Sequence, residues 1–360
     1  MPRRQATSAF VCLLAIAALA VGCGGGSGSS ISTAGTAASK PAPPKSDFPK
    51  TEGKTLGEIV KAADSHTELV VSPAALAFYK GVNRYPFGVF HPDRSQVDDA
   101  EVALYVARVP PAVPGGAAAA KNGKQKKGAV ARARTKALGQ PALGPYPAAI
   151  ESLATKPAYR AQTTTSDPDA ATSVYTTNID FPSNGEWRVA ALIKQGDELA
   201  ASLLPSAAVG EFKRVPRVGQ KAPVIHTPTP ADVGGDLSKI TTRIPPDTQN
   251  RVDYADALGK EPIFLLFATP QFCQSRVCGP VVDVAEQLKE QYGDKAAFIH
   301  MEIYNDNDPS KGVRPQVKAF HLPGEPWLFA IDRHGVIRAE IEGAFGLDRM
   351  TSVVKEVTGK

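Results

Sequence analysis

Cysteine is scarce in this 360-residue chain: there are four, and outside the first thirty residues only Cys273 and Cys278 remain. That shortage excludes a disulfide-dense scaffold, and with no second cysteine cluster it argues against a zinc site. A phosphate-cradling glycine loop is absent too, so nothing points to a nucleotide or flavin. Beyond the N-terminus no apolar run approaches the roughly 20 residues a membrane helix needs. Acidic residues are missing altogether between Val102 and Ile150. The same stretch holds Arg108, Lys121, Lys124, Lys126, Lys127, Arg132, Arg134 and Lys136, eight positive charges. Removing those eight from the net +5 leaves the rest of the chain at −3. The basicity is therefore one local insertion, read as a solvated loop with no partner or, alternatively, as a contact for anionic lipid headgroups or cell-envelope polymers; nucleic acid is not expected.

What is present begins with a targeting pattern. Arg3 and Arg4 precede the apolar run Ala9–Val21, and Ala20-Val21-Gly22-Cys23 follows. This layout reads as an export signal over residues 1–22. It resembles the lipobox of bacterial lipoproteins, which implies cleavage before Cys23, lipidation of Cys23 and attachment to the cell membrane. Residues 23–55, rich in Gly, Ser, Thr, Ala and Pro, read as a flexible linker.

Two regions follow. Glu101–Ala107 sets Val102, Leu104 and Val106 on one face, and Trp187–Lys194 does the same with Trp187, Val189, Ala191 and Ile193. Period-2 runs broken by Pro, Gly, Asn and Asp predict an antiparallel sheet with one face buried. The expectation for residues 56–216 is an immunoglobulin-like β-sandwich carrying a disordered basic insertion over 109–145. Trp187 is expected in its core. Between Lys213 and Lys260 prolines accumulate, as in a connector, and the boundary falls near Arg217. Residues 217–360 then alternate: strands over 263–268, 297–303, 327–331 and 336–341, and helices over 281–292 and 347–357.

The chemistry concentrates in Thr269-Pro-Gln-Phe-Cys273-Gln-Ser-Arg-Val-Cys278-Gly-Pro280, between the first strand and the first helix of that region. A thiolate at a helix N-terminus is stabilised by the macrodipole, and Arg276 is placed to add to the effect. The strand–cysteine pair–helix order, and Val218-Gly-Gln-Lys-Ala-Pro223 before it, resemble thioredoxin-like proteins. More closely, the segment is similar to extracytoplasmic thioredoxin-like lipoproteins of actinobacterial type, which carry the same C-x4-C-G-P pattern. The resemblance implies a C-terminal α/β thioredoxin-like fold and thiol–disulfide exchange with exported proteins. It further implies a cis-proline beside the thiols, matched by Pro326 with Pro323 as the fallback, so that Glu325 lies near the cysteines. Four residues between the cysteines, rather than two, leave open which cysteine attacks. Two other readings use the same pair: a structural disulfide in a non-catalytic binding lipoprotein, or a copper site resembling Sco-type chaperones with Cys273, Cys278 and His334 as ligands.

Overall fold

Strand β3 (Gly81–Phe90) carries large residues on alternate positions, and Tyr85, Phe87 and Val89 point into one core. The computed structural model describes residues 37–66, 68–111 and 135–359, so the expected signal peptide, Cys23 and most of the basic insertion lie outside the described residues. The remaining N-terminal strands are β1 (Ser65–His66), β2 (Val70–Pro73), β4 (Glu101–Arg108), β5 (Leu143–Pro147), β6 (Ala149–Ser152), β7 (Ser173–Phe181), β8 (Gly185–Gln195) and β9 (Glu198–Val209). They form two sheets, ordered β1-β9-β8-β4-β5 and β2-β3-β7-β6. Tyr85, Phe87, Tyr175 and Phe181 of the smaller sheet meet Val102, Leu104, Val189 and Ala191 of the larger in one apolar cluster. Trp187 is buried in that core against Phe181, and its Nε1 donates to the Ser183 carbonyl at 3.0 Å.

The larger sheet buries both faces, not one. Ala103, Tyr105 and Ala107 on the reverse of β4 are covered by Phe48 and by helix α1 (Leu56–Lys61). Residues 37–55 are accordingly docked rather than a free linker: Lys40 exchanges two 2.9 Å backbone bonds with Ile150, and the Tyr105 hydroxyl donates to Pro49 O at 2.8 Å. The end of the expected disordered insertion is also ordered. Leu143–Pro147 forms β5 against β4, because Leu143 and Tyr146 have apolar surface to bury there. Strand β9 lacks a strong alternating signal. Its Pro205 falls at the irregularity in the β8–β9 register, where a missing N–H costs no ladder bond.

In the C-terminal region the strands are β10 (Ile263–Phe267), β11 (Ala297–Met301), β12 (Trp327–Ile331) and β13 (Ile337–Glu342). The sheet order is β11-β10-β12-β13, with β10–β11 parallel and the other two pairings antiparallel. Helix α2 (Cys278–Tyr292) joins β10 to β11, and α3 (Leu347–Thr358) closes the chain. This is the thioredoxin order. The helices cover one face, packing Val281, Val284, Leu288, Met350 and Val354 on it. The other face is covered partly by the proline-rich segment, which does not run free: Ile225, Tyr254 and Ala257 are buried there. Its polar residues are buried as braces. Arg243 Nε donates to Asp283 at 2.9 Å, and Asp247 holds His300 at 2.9 Å.

The described residues belong to one compact unit. The Glu342 carboxylate accepts from Leu76 N and Ala77 N at 2.7 and 2.9 Å, and Arg84 donates to Ala344 O at 2.7 Å. These contacts fix the paired sheets against the end of β13, which places the region before β3 beside the cysteine loop.

Candidate functional site

Strand β10 is buried throughout, and its C-terminal end delivers the chain to Ala268 and then to the cysteine loop. Cys273 and Cys278 are joined as a disulfide with their Cα atoms 5.9 Å apart. The two sulfurs have unequal surroundings. Cys278 is the first residue of α2 and fully buried, whereas Cys273 is half-buried with its Sγ 3.3 Å from Ser275 Oγ. A nucleophile from solvent therefore meets Cys273 first. Cys278 sits at the positive end of the helix, buried in the apolar cluster beneath it.

Arg276 does not serve that thiolate in the way its sequence position suggests. Its guanidinium pairs with Asp167 at 2.6 Å and Asp169 at 2.7 Å, and its carbonyl accepts from Ala171 N at 3.1 Å. The charge is spent on tying the cysteine loop to the segment before β7.

Pairing of Phe267 with Trp327 brings Glu325-Pro326 to the same end of the sheet as the cysteines, and this peptide bond is cis. Burial, with a further push from Glu302, raises the Glu325 carboxyl above its ordinary value. Burial raises the Tyr304 hydroxyl above its ordinary value and the Glu325 charge raises it further; the Tyr304 ring meets Phe272, the residue before Cys273, edge-on with centroids 6.4 Å apart.

Sequence reasoning missed Glu302. It is buried, its Oε1 accepts from Thr242 N and Oγ1 at 2.7 and 2.6 Å, and its Oε2 has no hydrogen-bond partner. Thr242 Oγ1 in turn accepts from Gln271 N at 3.2 Å, two residues before Cys273. The available signal was an acidic residue inside the apolar run Ala297–Ile303, where a charge is costly without a role. His300 in the same run braces the loop from below. Burial alone would pull the imidazole down, but Asp247 and the carbonyl of Ala268 outweigh it and push it up to about 9.

His334 is not brought to the cysteines. It is exposed in the turn after Ile331, which pairs with Ile263 at the far end of β10 from the cysteine loop. The antiparallel course of β12 carries it away, so Cys273, Cys278 and His334 do not converge. Among the described residues no group of three or more His, Cys, Asp or Glu is arranged to hold a metal. No helix among them is long and apolar enough to cross a membrane.

No family model matches the chain, and no curated protein matches it. Solved structures similar to it include a protein assigned as thiol:disulfide interchange protein DsbE from Chlorobium tepidum. That match has 16% identity and a TM-score of 0.29, covering 40% of this chain and 99% of that one. A second thiol:disulfide interchange protein, of the thioredoxin family and from Chlorobium tepidum TLS, matches at 17% identity and a TM-score of 0.28, covering 40% and 99%. A thioredoxin-like superfamily protein matches at 16% and 0.25, covering 30% and 86%. Likeness at this level assigns no activity; the strand order and the cysteine geometry carry the reading.

Proposed function

We propose that this protein is a thiol–disulfide oxidoreductase acting on exported polypeptides through Cys273 and Cys278. The observation that carries the reading is the asymmetry of the pair: one sulfur reachable, the other buried at the first position of a helix. In the oxidising direction a substrate thiolate attacks Cys273 Sγ, the Cys273–Cys278 bond breaks, and Cys278 leaves as a thiolate. A second substrate thiolate then attacks its own sulfur in the mixed disulfide. Two electrons and two protons have passed from the substrate dithiol to the protein, and Cys273 and Cys278 end as thiols. The reducing direction is the same sequence reversed, with Cys273 attacking and Cys278 resolving. Glu325, held protonated more readily by burial, exchanges a proton with the departing thiolate, and Pro326 lines the substrate's approach. Export, lipidation at Cys23 and a membrane anchor complete the proposal, with the paired sheets as an immunoglobulin-like sandwich holding the site off the membrane. Outside the cytoplasm such a pair persists as a disulfide.

The test is the reduction potential of the pair, equilibrated against glutathione and dithiothreitol. A value above about −270 mV is expected of an exchange-active pair. One below about −300 mV would identify a structural bridge and overturn the proposal.

A further inference from the structure

A cavity of about 540 Å³ lies between the smaller N-terminal sheet and the cysteine loop. One wall is made by all four residues between the cysteines, Gln274 to Val277. The opposite wall is Val70, Pro73 and Phe90 from β2 and β3. Its floor is apolar by construction: position 88 is glycine, and a Cβ there would overlap the Phe90 ring that lies across it. Strand β2 is the edge of its sheet and Val70 is 52% exposed, so the cavity opens past that edge.

The cysteine loop is tied to the segment before β7, and β7 pairs with β3 of the opposite wall: Arg276 is pinned by Asp167 and Asp169, and Ala171 N donates to its carbonyl. An occupant therefore meets a preformed shape and spends little on ordering it.

The rim carries charge of both signs. Arg276 is matched by two carboxylates, Asp167 and Asp169, while Arg94, exposed on the rim beside His91, has no carboxylate within ion-pair distance among the described residues. The positive end of the rim is therefore local to Arg94, and a carboxylate of the occupant is drawn there.

We infer that this cavity is the substrate-recognition pocket of the redox site. It takes a bulky apolar side chain one or two residues from the cysteine engaged by Cys273, in an extended polypeptide whose nearby carboxylate pairs with Arg94. The inference rests on the exchange reading above. An extended chain advances about 3.3–3.6 Å per residue, so a flanking residue reaches past the short cysteine loop into the cavity. The N-terminal sheets then select substrate, which a thioredoxin-like domain alone does not do through this surface.

The experiment uses the full chain, reduced and freed of reductant, and four synthetic peptides. Each has one cysteine carrying thionitrobenzoate, flanked by Phe or Ser on one side and by Glu or Lys on the other. Attack by the Cys273 thiolate on the peptide sulfur forms the mixed disulfide and releases the coloured thiolate. Cys278 then closes the protein disulfide and frees the peptide thiol. The Phe/Glu peptide is expected to react about tenfold faster than the Ser/Lys peptide, the scale of one buried aromatic side chain. Ser72→Trp, on the exposed cavity edge, should abolish the Phe preference, and Arg94→Glu should invert the Glu preference. Both variants should leave the rate with hydroxyethyl disulfide unchanged. Equal rates on all four peptides, with hydroxyethyl disulfide reduced normally, would overturn the pocket and spare the exchange reading. A Lys preference, or a Phe preference that survives Ser72→Trp, would overturn it as well. Failure to reduce hydroxyethyl disulfide at all would sink the exchange reading and this inference with it.

Discussion

Removal of one carboxylate, Asp283→Ala, should be among the costliest single changes in this protein. Asp283 and Arg243 have side chains only 2% and 5% exposed, so the pair is held away from water. Arg243 donates to Asp283 Oδ1 at 2.9 Å, to Pro245 O at 2.8 Å and to Tyr159 O at 2.7 Å. The other carboxylate oxygen accepts from Ala161 N at 3.1 Å. Burial pushes the Asp283 carboxyl up and the Arg243 charge pulls it back, so the pair is not a strong net stabiliser. Losing one member is a different matter, because it strands a guanidinium in the interior. Breaking a buried pair in this way costs about 3–5 kcal/mol. The orphaned Ala161 N–H acts in the same direction, within that range rather than added to it. Against a total stability of roughly 5–15 kcal/mol, the variant should lose about a fifth or more of its margin. Urea unfolding followed by tryptophan fluorescence measures this directly, since Trp187 reports the paired sheets and Trp327 the thioredoxin-like sheet. The double variant Arg243→Met with Asp283→Leu should recover most of the loss, because it removes both charges and keeps the volume. If Asp283→Ala costs less than about 1 kcal/mol, or if the double variant is as unstable as the single, the argument from burial is wrong.

Other outcomes follow from the same geometry. Cys278→Ser should accumulate a mixed disulfide at Cys273, seen on non-reducing gels and located by mass spectrometry; Cys273→Ser should accumulate none. The reverse pattern would show that the roles are swapped. Stability should depend on pH through His300. Its folded value of about 9 lies above the usual 6.5, so its contribution is complete below pH 6.5 and disappears as pH rises through about 9. The loss should approach roughly 3 kcal/mol at full deprotonation. His300→Gln should be less stable at pH 6 but show a flatter profile between pH 7 and 10; an unchanged slope would remove His300 as the cause. Gly343 has φ +79 and faces Ala74 O and Pro86 across the junction between the sheets. Gly343→Ala should therefore cost at least about 1–2 kcal/mol for the left-handed backbone alone, with more from the steric overlap, and thermal unfolding would reveal it.

Much of the site was legible before any coordinates. The run Ile263–Ala268, the cysteine pair and the helical spacing after Pro280 are local signals, and the strand–loop–helix they predict is the one observed. Pro326 was reached through family resemblance, not propensity, since nothing in a single X-Pro dipeptide favours cis. The paired sheets were legible where short runs of large residues lie between turn residues, in β3, β4, β7 and β8. Strand β9, rich in alanine and interrupted by Pro205, has its form from the partner strand.

The amino-acid sequence by itself determined which segments carry period-2 and period-3.6 burial, where the thiols fall between strand and helix, and how charge is distributed along the chain. Each depends on neighbours a few residues apart. Tertiary structure alone decided the rest, because the partners are remote in the chain. It set Arg276 against Asp167 and Asp169 instead of a thiolate, and sent His334 to the far end of the sheet. It turned a proline-rich segment into a set of buried braces and raised a cavity wall from Val70 and Phe90 opposite the loop between the cysteines. Charge and burial act through space, and the distance along the chain does not report them.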